Sequence, residues 1–82
     1  MQTSFQIIDM TSRGRTHLGD RATFDEAEHF GRWHAARRNI RVVVWQIDQD
    51  KRHRHEEEVA TIQRDALGRL WTDLTWHGSA LV

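Results

Sequence analysis

Residues 51–58 read KRHRHEEE, which puts three basic residues, two histidines and three glutamates into eight positions. In an extended chain His53, His55 and Glu57 alternate onto one side, and two imidazoles with a carboxylate are the right types to hold a divalent ion. A working metal centre also needs a further fixed ligand, hydrogen bonds that orient the imidazoles, and a pocket. The sequence points to none of these, so no metal and no cofactor is predicted. Lys51, Arg52 and Arg54 could contact phosphate, but Asp48, Asp50 and Glu56 to Glu58 lie in the same segment, and three positive against five negative charges leave a local sum of minus two. Phosphate binding draws on uncompensated cations. The stretch is therefore read as a solvated connection whose charges pair across a hairpin.

A better cationic cluster is Arg32, Arg37 and Arg38 with Trp33 beside them, where guanidinium groups and an indole could meet phosphate and base. These four residues carry the alternative reading, a nucleic-acid-binding protein. Across the chain, however, 12 basic residues balance 12 acidic ones, so no global field draws a polyanion in. Catalytic arrangements are missing from the pattern. There is no nucleophile elbow, no Gly-rich phosphate loop and no HExxH. Asp25 and Glu26 stand at helical spacing from His29, where surface ion pairing is the ordinary explanation. The chain is not expected to be an enzyme.

The 82 residues suit one domain, 1–82, with one modest core and no room for a large substrate cavity. Cysteine is absent, which removes disulfides and thiolate zinc sites and fits a reducing compartment. The opening MQTSFQIIDMTSRGR lacks the pattern of a signal peptide, and no apolar run approaches the roughly 20 residues needed to cross a bilayer. A cytoplasmic protein without a membrane segment is expected.

These residues must be positioned by elements that the sequence also outlines. Phe5 to Met10 reads as a strand, Thr11 to Gly14 as a turn, and Arg15 to Leu18 as a weaker extended stretch. Thr23-Phe24-Asp25-Glu26 is a capping box, in which the Thr23 hydroxyl accepts from the Glu26 amide and the Glu26 carboxylate reaches back to the Thr23 amide. A helix from Phe24 to Arg38 follows, acidic at its start and basic at its end, with Asn39 as its stop. Phe24, Ala27, Phe30, Gly31, His34 and Ala35 share its core side, and Phe30 is predicted to be deeply buried. Gly31 in mid-helix implies close approach to a sheet. Ile40 to Gln49 is the strongest strand and belongs inside that sheet. Glu57 to Arg64 and Arg69 to Trp76 form a hairpin about Asp65 to Gly68, pairing Thr61 with Asp73 and Gln63 with Trp71. Residues 77–82 are left as a short undefined tail.

The predicted fold is thus α+β, a single helix on one face of a four- to five-stranded, mainly antiparallel sheet in the order β-β-α-β-β-β. One helix covers one face only. Alternation sends Val43, Trp45 and Ile47 to the other face, and places Trp71 with Val59 and Thr61. Trp76, Leu81 and Val82 add to the apolar surface needing cover. A soluble chain seldom leaves such a patch open, and tryptophan is enriched among residues that dominate interfaces. The expected function is a small interaction or regulatory accessory module, with Val43, Trp45, Ile47 and Trp71 binding a second copy, as a homodimer, or another protein.

Overall fold

The structure, a computed structural model, describes residues 2–11 and 14–75. Ser12 and Arg13 of the first turn, Trp76, and the tail with Leu81 and Val82 therefore lie outside the described residues. The elements follow the expected order: β1 (Gln2–Asp9), β2 (Thr16–Arg21), α1 (Phe24–Arg38), β3 (Val42–Gln49), β4 (Arg54–Arg64) and β5 (Leu70–Leu74). The strands form one antiparallel sheet in the order β2-β1-β3-β4-β5, with β3 at its centre and α1 packed against one face. Among the described residues no helix is long and apolar enough to cross a membrane.

Helix α1 has the boundaries its sequence signals set. Thr23 is extended at the N-cap and accepts the Glu26 amide at 3.2 Å, while Asn39 ends the helix in the left-handed region at φ 52° and donates its amide to the Ala35 carbonyl. One detail of the capping box differs. The Thr23 hydroxyl donates to Glu26 Oε1 at 2.9 Å, so the carboxylate meets the hydroxyl rather than the backbone amide.

The expectation that Phe30 is deeply buried does not hold. Ala27, Gly31 and Ala35, spaced four apart, form the line nearest the sheet, and Phe30 lies half-buried on its flank. The helix can lie this close because residue 31 has no side chain. A Cβ there would stand 2.8 Å from Ile62 Cδ1 and 3.3 Å from Val42 Cγ1. Phe5 and Ile7 of β1, Val42 and Val44 of β3, and Val59, Ala60 and Ile62 of β4 complete this core, with Leu18, Phe24, Phe30, Ile40 and Leu70 around it.

Two irregularities change the sequence reading. Strand β4 begins at Arg54 rather than Glu57, because Arg54, His55, Glu56 and Glu57 still pair with Gln49, Asp48, Ile47 and Gln46 of β3. Between Val44 and Trp45 the register then shifts, passing from the Ala60 pair to the Glu58 pair and leaving Val59 unpaired. A bulge of this kind turns two successive residues the same way. Val59 consequently joins Ala60 in the core instead of sharing a face with Trp71. The expected pairs Thr61 with Asp73 and Gln63 with Trp71 are present, joined by a turn in which Gly68 takes φ 80°.

Candidate functional site

The face opposite α1 was expected to be bare, with Val43, Trp45 and Ile47 as its docking residues. Val43 and Ile47 are instead 4% and 3% exposed, and Trp45 is half-buried. Trp45 stands between the other two on the same side of β3, and Arg15, from the β1–β2 connection, brings its guanidinium to 5.5 Å from the centre of the indole ring. The Trp45 Nε1–H is buried and has no hydrogen-bond partner among the described residues. Val43 and Ile47 are thus interior residues of the single chain. Of the four, Trp71 is the one with an exposed side chain, at 48%.

Exposed apolar surface gathers at the β5 edge. Leu74 is 68% exposed, and beside it a groove of about 260 Å³ is lined by Phe5, Phe24, Gln46, Val59 and Leu74. The bulged Val59 forms part of this groove, which the unshifted alternation concealed. Trp71 is held by the turn below it. Asp65 Oδ2 accepts the Trp71 indole N–H at 2.7 Å, while Asp65 Oδ1 accepts the amides of Leu67 and Arg69. These bonds, led by the Arg69 amide and the Trp71 indole, hold the Asp65 carboxyl below its ordinary pKa.

The second surface runs along the flank of α1 that faces β2. The structure divides the four residues of the nucleic-acid reading. Arg32 turns to the other flank, where its Nη1 donates to Thr72 Oγ1 at 2.9 Å and ties α1 to β5. Consecutive helical residues point about 100° apart, whereas positions i and i+4 share a side. Arg37 accordingly stacks on Trp33, with the guanidinium 4.7 Å from the ring centroid. His34 meets Trp33 edge-on at 4.9 Å and Phe30 edge-on at 4.5 Å. Arg21 of β2 covers Phe30 at 3.9 Å. The result is a continuous series Arg21, Phe30, His34, Trp33, Arg37. Arg21 was missed because only the β1–β2 register, which sets Arg21 opposite Phe5, brings it to the helix.

Within this series the His34 Nδ1 is shielded and has no hydrogen-bond partner among the described residues. Burial lowers the His34 pKa below its ordinary value, and the positive charges of Arg38 and Arg21 push it the same way. A base with a depressed folded pKa is protonated more readily in the unfolded chain. Stability is therefore expected to fall as pH drops below about 6.5, the ordinary imidazole value, and to level off below the folded pKa. Thermal melts from pH 8 to 5 on wild type and His34→Phe check this. The substitution should flatten that part of the curve, and parallel curves would assign the dependence to other groups.

KRHRHEEE divides into a turn and the start of a strand. Asp50 Oδ1 accepts the amides of Arg52 and His53, the Asp50 amide donates to the His53 carbonyl, and Arg54 pairs with Glu56 at 3.2 Å. The His53 side chain is 83% exposed, and His55 stands opposite Asp48. Among the described residues no three of His, Cys, Asp and Glu gather as a metal site would require. Compared with protein-family models, with curated proteins and with solved structures, the chain matches none.

Proposed function

We propose that this chain is a protein-interaction module that works as a self-assembled pair, joined through β5, an edge strand of the sheet among the described residues. The observation that carries this reading is the contrast between the two edge strands. Edges are ordinarily protected by bulges, charges and irregularity. The β2 edge has a register shift against β1 and carries the hydrogen-bonded pair His17 and Asp20. The β5 edge runs in unbroken register against β4 and exposes Trp71 and Leu74.

Backbone phase supports pairing with a second copy. The Asp65 amide donates to the Arg69 carbonyl and the Thr75 amide to the Val59 carbonyl, so residues 69, 71, 73 and 75 bond inward. In an antiparallel ladder the alternate residues Leu70, Thr72 and Leu74 then present their N–H and C=O groups outward. Antiparallel pairing centred on Thr72 sets Leu70 opposite Leu74 of the second copy, and Leu74 opposite its Leu70. Every outward group of the strand finds a partner in this two-fold arrangement, which is self-complementary as a closed dimer requires. Leu70 and Leu74 lie on the α1 side, so the pairing also brings apolar side chains against the groove. A cytoplasmic setting goes with this reading, supported by the cysteine-free composition.

Light scattering at high micromolar concentration tests the proposal. Wild type should show twice the 9.7 kDa chain mass. Leu74→Lys should return a folded monomer, since residue 74 is 68% exposed and a charge there opposes the edge pairing. A monomeric wild type, or a dimer unaffected by Leu74→Lys, would defeat the reading.

A further inference from the structure

The aromatic and cationic series on the α1 flank lies away from β5 and has no part in the edge pairing. We infer that it is a binding strip for single-stranded nucleic acid, with Trp33 as the stacking platform for a base and Arg37, Arg38 and Arg21 as the phosphate contacts. Three observations meet there. Trp33 is 52% exposed although its neighbours Phe30 and His34 are half-buried. The Arg37 guanidinium lies over its ring at 4.7 Å and the His34 ring stands at 82° to it, two contacts that orient the indole. Among the described residues, acidic side chains form ion pairs with Arg54 and Arg69 and lie against His17 and His53, and none pairs with Arg21, Arg37 or Arg38.

The charge pattern selects the class of ligand. A guanidinium over an aromatic ring still has N–H groups at its edge to grip a planar or tetrahedral anion, although one of Arg21's already donates to the Asp20 carbonyl at 2.6 Å. Arginines of this kind stand at both ends of the run of rings, and cations beside rings match a chain that carries both phosphates and bases. An unpaired base is needed, because a duplex keeps its base faces inside the stack. Beside Trp33 a shallow depression of about 400 Å³, lined by Arg21, Asp25, Glu26, His29, Phe30 and Trp33, gives a base room. Its two carboxylates, Asp25 and Glu26, can accept from exocyclic amino groups, and Arg21 is the one cation at that end. The main phosphate path is therefore expected toward Arg37 and Arg38, with at most one further phosphate on Arg21.

Fluorescence anisotropy with labelled single-stranded DNA and RNA oligonucleotides, on the full chain over a salt series, tests this strip. With two to three phosphates engaged, log K should fall against log salt with a slope of about −1.4 to −2.1. Trp33→Ala should weaken binding about 5- to 100-fold, the range for losing one stacked base, and Trp33→Phe should restore most of it. Arg37→Ser should lower the slope by about 0.7. Arg52→Ser, in the β3–β4 turn, should change neither. Separate arms with DNA and RNA decide which strand is preferred. The inference is overturned if neither oligonucleotide binds, if Trp33→Ala binds as wild type does, or if polyglutamate competes as well as the oligonucleotides, since a plain acidic peptide would then be the better ligand.

Discussion

Replacing Gly31 with leucine is expected to remove more than about 3 kcal/mol of stability, which lowers the Tm of an 82-residue chain by roughly 12 °C or more. The reason lies in the three strands beneath that position. A Cβ at residue 31 would approach Ile62 Cδ1 to 2.8 Å and Val42 Cγ1 to 3.3 Å, so β4 and β3 resist it, and it would meet Ile7 Cγ2 of β1 in ordinary contact at 3.7 Å, with no space left beyond. A leucine adds three further carbons to that Cβ. The helix must lift, and the contacts of Ala27 and Ala35 on the same line go with it. Alanine behaves differently. It gains about 1 kcal/mol of helix propensity over glycine, and its most severe collision is with the terminal methyl of Ile62. Ile62→Val deletes that methyl, so Gly31→Ala should be better tolerated in the Ile62→Val chain than in wild type. Denaturant unfolding of the four proteins measures the coupling, which should exceed about 0.5 kcal/mol. Additive effects would mean that the helix does not rest on Ile62.

Truncating Ile62 to alanine is the second large effect, expected at about 2 to 5 kcal/mol. Ile62 is fully buried and has Val42 and Thr72 as its cross-strand partners on either side, with α1 directly above. Strands on both sides and a helix above leave little freedom to collapse into the space. Phe30→Ala should cost less than Ile62→Ala even though it removes more atoms, because the Phe30 ring is half-buried under the Arg21 guanidinium. Chemical denaturation ranks the two directly. A larger loss for Phe30 would show that the flank, and not the Ala27-Gly31-Ala35 line, carries the helix.

Local signals proved the most legible parts of the sequence. Thr23 and Asn39 bound α1 to the residue, because capping acts over a single turn and uses side chains visible in the sequence. The Asp65 to Gly68 turn set the β4–β5 register for a similar reason. Sheet order and helix facing were harder to read. Periodicity grouped Phe30 with Gly31, since it measures which residues are apolar and not which are small enough for closest approach. The bulge at Val59 left no mark in composition, and it alone moved Val59 from one face to the other. For the candidate surfaces, Trp33 with Arg37 could be read from their spacing of four. The approach of Arg21, the departure of Arg32 to Thr72 and the burial of Val43 and Ile47 depend on register and on neighbouring elements, which spacing along the chain does not encode.

The place of β1 beside β3 has a consequence for how the chain folds. The β1–β2 hairpin and the β3–β4–β5 meander each connect neighbours along the chain, and α1 forms from its own local bonds. Among the described residues the β1–β3 seam, from Asp9 opposite Val42 to Gln2 opposite Gln49, is the strand pairing that joins the two halves, and it encloses all of β2 and α1. Contacts between residues so distant in sequence set the slow step of folding, because the loop entropy is lost before the ladder forms. During synthesis β1 leaves the ribosome long before its partner, with Ile7 and Ile8 uncovered on their β3 side until Val43 and Val44 arrive. Early closure of the β1–β2 hairpin occupies one edge of that waiting strand, and the irregular β2 keeps the outer edge of the hairpin from recruiting a stranger. In the folded sheet β1 thus owes one edge to a neighbour close in sequence and the other to a strand more than thirty residues away.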